Sequence, residues 1–308
     1  MESKGYDIIG DIHGHCDELI ALLEIMGYLH HDGCYRHPDR QAIFLGDFID
    51  RGPDQIGVLD IVMAMCEKGA ARSVMGNHEF NALAFHTQNP SDQGTWLRSR
   101  TNKNIQQHLR FLDEYLNVTD KGELDRVLSF FWSLPLWLEL DGLRVVHACW
   151  EQNHIDALGK DNRISKERLV EASTKGTAAY NAIEALLKGV EIELPEGKSF
   201  LDKDKHLRTA VRIQWWHNSD STLGGIVFPK GLFDGEDLES EVISANDLIG
   251  YGDNEKPVFL GHYWMKGTPT LMAHNVACLD YSVAKDGKLV AYRWDGERTL
   301  SNEKFIHA

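Results

Sequence analysis

Tyr6-Asp7-Ile8-Ile9-Gly10-Asp11-Ile12-His13-Gly14 reads as a short apolar strand that stops at a glycine and hands over to an Asp and a His. The same grammar returns twice. Ala42-Ile43-Phe44-Leu45-Gly46 leads to Asp47, and Arg72-Ser73-Val74-Met75-Gly76 leads to Asn77. Asp11 and Asp47 lie 36 positions apart, and Asp47 and Asn77 lie 30 apart, close to the ~30 residues of a strand-helix-strand unit. That spacing implies parallel strands with crossover helices between them. Leu19, Leu22, Leu23 and Met26 recur at helical spacing before Gly27, and Ile56, Leu59, Met63 and Cys66 do so before Gly69.

Further along, Trp137-Leu138-Glu139-Leu140 and Leu143-Arg144-Val145-Val146 flank Asp141-Gly142, a two-residue hairpin signal, and His147 follows the second run. Pro257-Val258-Phe259-Leu260-Gly261 delivers His262. A second hairpin signal, Asp286-Gly287, separates an apolar run ending near Val283 from Leu289-Val290-Ala291-Tyr292. The class is therefore α/β with a mixed sheet system. Residues 151–254 break the theme, with a helical stretch near 166–188 and a polar section around 191–205. The expectation is a single domain over 1–308, carrying at about 151–254 an insertion or lid that walls the site.

With 308 residues the chain has ample length for a buried core. No apolar run approaches the ~20 residues that span a bilayer, so no membrane partner is expected. Met1-Glu2-Ser3-Lys4 passes at once into the first strand and leaves no room for a signal peptide. Five scattered cysteines (Cys16, Cys34, Cys66, Cys149, Cys278) suit a reducing compartment better than a disulfide framework. A cytoplasmic location follows as an expectation. The net charge of -15 repels nucleic acid, which is bound largely through Lys and Arg contacts to phosphates. Any phosphate handled here needs a local positive centre.

Five apolar runs end in Asp, Asn or His, and in open α/β sheets the carboxyl ends of strands line the binding crevice. Asp11 and His13, two apart, leave an extended backbone on the same face. Asp11, His13, Asp47, Asn77, His147 and His262 form a candidate ligand set of oxygen and imidazole donors without a thiolate. Such a set favours manganese, iron or zinc over calcium, and two ions over one. Taken alone, each piece has a plainer reading: Asp-x-His is commonly a turn with a surface His, and Gly-Asp commonly just a turn. Repetition with strand-helix-strand spacing decides for metal.

These residues resemble a known family. Gly10-Asp11-Ile12-His13-Gly14, Gly46-Asp47-Phe48-Ile49-Asp50-Arg51-Gly52 and Gly76-Asn77-His78-Glu79 look like the three motifs of the phosphoprotein phosphatase branch of the calcineurin-like metallophosphoesterases, in the same order. The resemblance implies two packed mixed β-sheets flanked by helices, a four-layer αββα fold. It also implies two divalent metal ions, with manganese expected in vitro and iron or zinc as alternatives. Asp11, His13 and Asp47 would bind the first ion; Asp47, Asn77, His147 and His262 would bind the second, with Asp47 bridging. A hydroxide shared between the ions would attack phosphorus in line. His78 would protonate the leaving oxygen, oriented by Asp50; its plainer reading is a helix-capping His. Arg51 would fork two donors onto phosphate, although Arg is ordinarily spent in an ion pair.

Two departures from the family pattern stand out. His147 is followed by Ala148-Cys149-Trp150 where the family has a Gly pair, and no second arginine stands close before His262. Arg212 is the expected substitute, with Arg208 and Lys266 as rivals. The leading expectation is a phosphomonoesterase of the serine/threonine, or tyrosine, protein phosphatase kind, acting on a phosphorylated protein or small phosphate ester. The alternative is a symmetrical diadenosine tetraphosphate hydrolase, suggested by Gly261-His262, Gly267-Thr268-Pro269 and Asp280 within 259–294. A third reading, a catalytically inactive scaffold, predicts lost ligands, and none is lost.

Overall fold

The computed structural model describes residues 5–116, 122–201, 207–217, 222–233, 237–243 and 249–308. The opening Met1-Glu2-Ser3-Lys4 and residues 202–205 of the polar section lie outside the described residues. The chain divides into two compact units, one of residues 1–187 with 256–308 and one of residues 188–255.

In the first unit, strand Gly5–Ile9 pairs in parallel with Arg40–Phe44, which pairs in parallel with Ala71–Ser73. Register sets Ile8 beside Ile43 and Ala42 beside Ala71. The opposite edge of Gly5–Ile9 takes the long antiparallel strand Lys288–Trp294, with Ile8 beside Tyr292. Asp280–Tyr281 and Phe305–His307 complete this mixed sheet. Helices Cys16–Ile25 and Gln55–Glu67 are the crossovers. Both end at glycines with positive φ, Gly27 at 88° and Gly69 at 70°, the conformation a helix stop prefers.

A second sheet runs Val276–Cys278, Val258–Leu260, Arg144–Val146, Trp137–Glu139, parallel but for its final hairpin. Ile8, Ile43 and Tyr292 from the first sheet and Val145, Phe259 and Ala277 from the second share one buried core. The two sheets are thus packed face to face, with helices outside. This is the arrangement of two packed sheets flanked by helices that the sequence leads one to expect. Among the described residues no helix is long and apolar enough to cross a membrane.

Local departures have local causes. The stretch near 166–188 is two helices, Lys166–Ala172 and Ala178–Lys188, separated by Gly176 at φ 87°. The second hairpin does not carry Val283 in a strand. Its first strand is Asp280–Tyr281, and Val283–Lys285 is a 3-10 turn, because Asp280 Oδ1 accepts the Ser282 N–H at 2.9 Å and Ser282 turns left-handed at φ 61°.

The second unit has its own core of Leu194, Val211, Leu223, Val227, Phe233 and Leu238. Glu191–Glu193 pairs with Ala210–Arg212 and Phe200–Leu201 with Leu207–Arg208, both antiparallel. Trp215 and Trp216 are buried in this unit, edge to face at 5.7 Å, as packing residues are.

Candidate metal centre

Every expected ligand leaves the end of a strand in the first unit. Asp11 and His13 follow Gly5–Ile9, Asp47 follows Arg40–Phe44, and Asn77 opens helix Asn77–His86 after Ala71–Ser73. His147 follows Arg144–Val146, and His262 follows Val258–Leu260. Glycines permit the convergence: a Cβ at Gly76 would strike Asp47 Oδ1, and one at Gly261 would strike Asp11 Oδ1.

Asp47 is the hub. Its Oδ2 faces three imidazole nitrogens, Nε2 of His147 at 3.4 Å, of His13 at 3.7 Å and of His78 at 3.9 Å. Asn77 Oδ1 lies 3.2 Å from His147 Nε2 and 2.7 Å from His262 Nδ1, and Asp11 Oδ2 accepts the His262 N–H at 3.0 Å. His13-Asp47-His78 and Asp47-His147-His262 each bring donor atoms within 4.8 Å of one another and share Asp47. The six expected ligands therefore form one connected cluster.

Their tautomers are fixed from behind. His13 Nδ1 donates to the Ile49 carbonyl at 2.9 Å and His147 Nδ1 to the Leu45 carbonyl at 2.7 Å, so both turn Nε2 towards Asp47. Burial, reinforced by His78, lowers the His13 pKa to about 3 and keeps the ring neutral. Burial would lower His147 as well, but the Asp47 and Asp11 carboxylates lift it to about 10. The carboxylates demand positive charge beside them.

Divalent cations fit these residues. Asp11 Oδ1 and His13 Nε2 are buried without a hydrogen-bond partner, a situation that costs about 1–3 kcal/mol for an ordinary buried polar group. Asp11, Asp47 and Asp280 are all buried together; burial and then the Asp280 charge hold the Asp11 carboxyl well above the usual range. Orphaned lone pairs, crowded carboxylates and imidazoles are what bound cations satisfy.

Beside the cluster, Asp50 Oδ2 accepts from His78 Nδ1 at 2.5 Å while its Oδ1 accepts from His108 Nδ1 at 2.8 Å. Arg51 is exposed rather than spent in a buried ion pair, and its guanidinium lies over the Trp264 indole at 4.6 Å. Lys285 Nζ lies over the same ring at 4.3 Å. His13 stacks on it too, centroids 5.8 Å apart at 29°. Strain concentrates here: His13, Asp47, Asp50, Arg51, His262 and Trp264 have φ between 50° and 77°. Bulky side chains rarely adopt that region, and they keep it only where the surroundings impose it.

Arg212 and Arg208 belong to the second unit, where Arg212 stands 4.0 Å from Glu191. Lys266 is exposed in the loop after His262. Sequence reasoning missed Glu79, His108, Trp264 and Lys285. Glu79 is fully buried and accepts the backbone N–H groups of Asp47, Phe48 and Gly76 at 2.8–3.0 Å. A signal existed for His108, which shares a helical stripe with Phe111, Leu112 and Tyr115, all buried.

A sequence profile of the calcineurin-like phosphoesterases matches residues 6–172. Over 166 residues the chain is 37% identical to an asymmetrical bis(5'-nucleosyl)-tetraphosphatase of Bacillus velezensis, a match covering 53% of this chain and 62% of the relative. Over 141 residues it is 39% identical to a symmetrical bis(5'-nucleosyl)-tetraphosphatase of Ralstonia nicotianae, covering 46% and 40% respectively. The chain spans less than two thirds of the length of the curated relatives it matches. Among solved structures, a protein serine/threonine phosphatase of Saccharomyces cerevisiae aligns over 98% of this chain and 78% of that one, with a TM-score of 0.54 at 13% identity, a likeness of fold.

Proposed function

The chain belongs to the calcineurin-like phosphoesterase family, and from that premise we propose that it hydrolyses a dinucleoside tetraphosphate at the Asp47-centred site. The convergence of three imidazole Nε2 atoms on Asp47 Oδ2 carries the reaction class. Similarity to bis(5'-nucleosyl)-tetraphosphatases supports the substrate class. Asp11, His13 and Asp47 would hold one divalent cation, and Asp47, Asn77, His147 and His262 another; manganese, iron and zinc suit these donors. When bound, two such ions supply charge to offset the phosphoryl oxygens and make water a nucleophile near neutral pH.

The remaining work falls to side chains. His78 would deliver a proton from Nε2 to the departing oxygen. Burial lowers its pKa, but Asp47 and Asp50 outweigh burial and raise it, so a proton is held ready. Arg51 would fork onto the phosphate at the cluster's edge.

A second reading, a phosphomonoesterase of the protein phosphatase kind, is favoured by the Asp50–His78 pair. A protonated His matters more for an alkoxide or phenoxide than for a nucleotide leaving group. Side-by-side kcat/KM values for diadenosine tetraphosphate, an aryl phosphate and a phosphopeptide at equal manganese test the proposal. A preference of about tenfold or more for the dinucleotide, ~1.4 kcal/mol in transition-state binding, is expected. The reverse preference selects the second reading. Chromatography of the products, two ADP or ATP with AMP, reads the position of cleavage.

A further inference from the structure

Asp50 divides its carboxylate between two histidines. Oδ2 accepts from His78 Nδ1 at 2.5 Å, and Oδ1 accepts from His108 Nδ1 at 2.8 Å. A carboxylate held at one oxygen keeps a broad torsion about its last bond, and a donor at the other oxygen removes that freedom. His108 comes from helix Asn102–Leu116, 58 positions from Asp50. Less than two turns on, the same helix holds this segment again: the Glu114 carboxylate accepts the backbone N–H groups of Gln55 and Ile56 at 2.9–3.0 Å. Those amides open helix Gln55–Glu67, where donors lack intrahelical partners and a carboxylate suits the dipole. The stretch from Asp50 to Ile56 is thus tied to one helix at both ends. Within it Asp50 and Arg51 keep φ of 68° and 77°, values that persist only where the surroundings impose them.

Packing alone does not account for an imidazole at position 108. The ring is 5% exposed; it stacks on Phe111 with centroids 4.7 Å apart and meets Phe85 edge to face at 5.3 Å. Its Nε2 is buried without a hydrogen-bond partner, a situation that costs about 1–3 kcal/mol for an ordinary buried polar group. An apolar ring would fill the same space without that cost. Among the described residues, Asp50 is the one hydrogen-bond partner of the His108 side chain.

We infer that His108 is a positioning residue for the reaction: by holding Asp50 Oδ1 it aims Oδ2 at His78 Nδ1, and so fixes the direction in which His78 Nε2 faces the leaving oxygen. The inference rests on the reading of His78 as proton donor for its effect on rate, though not for its effect on the ring. His108 acts through Asp50 and is not itself a catalytic residue.

The test compares His108→Leu, His108→Phe and His108→Asn in the full chain. Leu and Asn match in shape, but only the Asn amide keeps a donor near the position of Nδ1; Phe keeps a ring and loses the donor. With manganese bound, kcat for phenyl phosphate, whose leaving group needs a proton, should fall about tenfold in His108→Leu and His108→Phe, a part of the ~10²-fold or more that a general acid contributes. The loss should be smaller for p-nitrophenyl phosphate, and His108→Asn should recover most of it. In a His78→Asn background the same substitutions should change kcat by less than about twofold, because the ring they act on is gone. Proton NMR of the chain loaded with zinc, which is diamagnetic, reads the ring without turnover. The His78 Nδ1–H signal, identified by its absence in His78→Asn, should shift or exchange away in His108→Leu and His108→Phe and persist in His108→Asn. An equal loss for both esters, a loss in His108→Asn as large as in His108→Leu, or an undiminished loss in the His78→Asn background overturns the inference. If His78→Asn shows no dependence on leaving group but the signal moves as expected, His108 positions the ring and the proton-donor reading fails. If His78→Asn shows that dependence and neither rate nor signal moves in His108→Leu and His108→Phe, the reading stands and the inference fails.

Discussion

Asp50 grips His78 at Nδ1, 2.5 Å from Oδ2, while Nε2 of the same ring points towards Asp47 at 3.9 Å. One end of the imidazole is fixed and the other is presented to the cluster, the posture of a proton donor. Replacing His78 with Asn should lower kcat for an ester with a poor leaving group by roughly 10²-fold or more. Bound metal should be unchanged, and the loss should be smaller for p-nitrophenyl phosphate and for a dinucleotide. An equal loss across leaving groups would show that His78 holds metal or structure and does not donate a proton.

The orphaned Asp11 Oδ1 and His13 Nε2 lead to a second expectation, on stoichiometry. Elemental analysis should find about two divalent ions per chain, and chelation should abolish activity that manganese then restores. Asn77→Ala should lose one ion, not both, because the two proposed ligand sets share Asp47 alone. Full activity with one ion or none removes the two-metal proposal.

Asp50 is buried between two histidines, and that gives a pH dependence. Burial alone would raise its pKa, but hydrogen bonds from His108 and His78 bring it down to about 2 from an ordinary 3.8. A folded-state pKa below the unfolded value contributes stability that is full above about pH 4 and is lost as pH falls through about 2. The stability difference between the unaltered protein and Asp50→Asn should therefore shrink by roughly 2 kcal/mol across that window. Urea titrations at several acidic pH values would measure it, and a constant difference contradicts the assignment.

Much of this was legible because the candidate metal ligands sit at the ends of strands, and a strand ending in Gly-Asp or Gly-Asn can be read without any tertiary knowledge. The parallel order of Gly5–Ile9, Arg40–Phe44 and Ala71–Ser73 followed from loop lengths alone. What escaped were residues whose roles arise from contacts remote in sequence. His108 meets Asp50 across 58 positions, and Glu79 meets the Asp47 and Phe48 amides across 32 and 31. Trp264 and Lys285 looked unremarkable because neither lies in a recurring pattern; hydrogen bonds of Asp280 and Ser282 draw their loops together. The break of the 3-10 turn at Val283 was hidden for the same reason.

Glu79 supplies the final prediction. Its carboxylate accepts three backbone N–H groups from the turns that carry Asp47 and Asn77. An amide has a single oxygen, so Glu79→Gln leaves at least one of those buried donors facing an NH2 group. Stability should fall by about 1–3 kcal/mol, and metal affinity should weaken by roughly 10–100-fold, the usual effect of disturbing groups that support ligands. Thermal unfolding and metal titration on the same variant test both parts. A change in stability without a change in metal affinity would confine Glu79 to the scaffold.

The placement of Gly5–Ile9 between Arg40–Phe44 and Lys288–Trp294 has a consequence for how the molecule is made. During synthesis Asp11 and Asp47 emerge early, hydrated and cheaply ionised, while one ladder edge of Gly5–Ile9 waits for a partner more than 250 positions later. Closing so distant a pairing is slow, and an open edge is the state in which chains associate wrongly. Docking of Val258–Leu260 should then dehydrate the early carboxylates, because it brings His262 against Asp11. Ion supply at that moment, rather than after release, should govern the yield of properly folded chains.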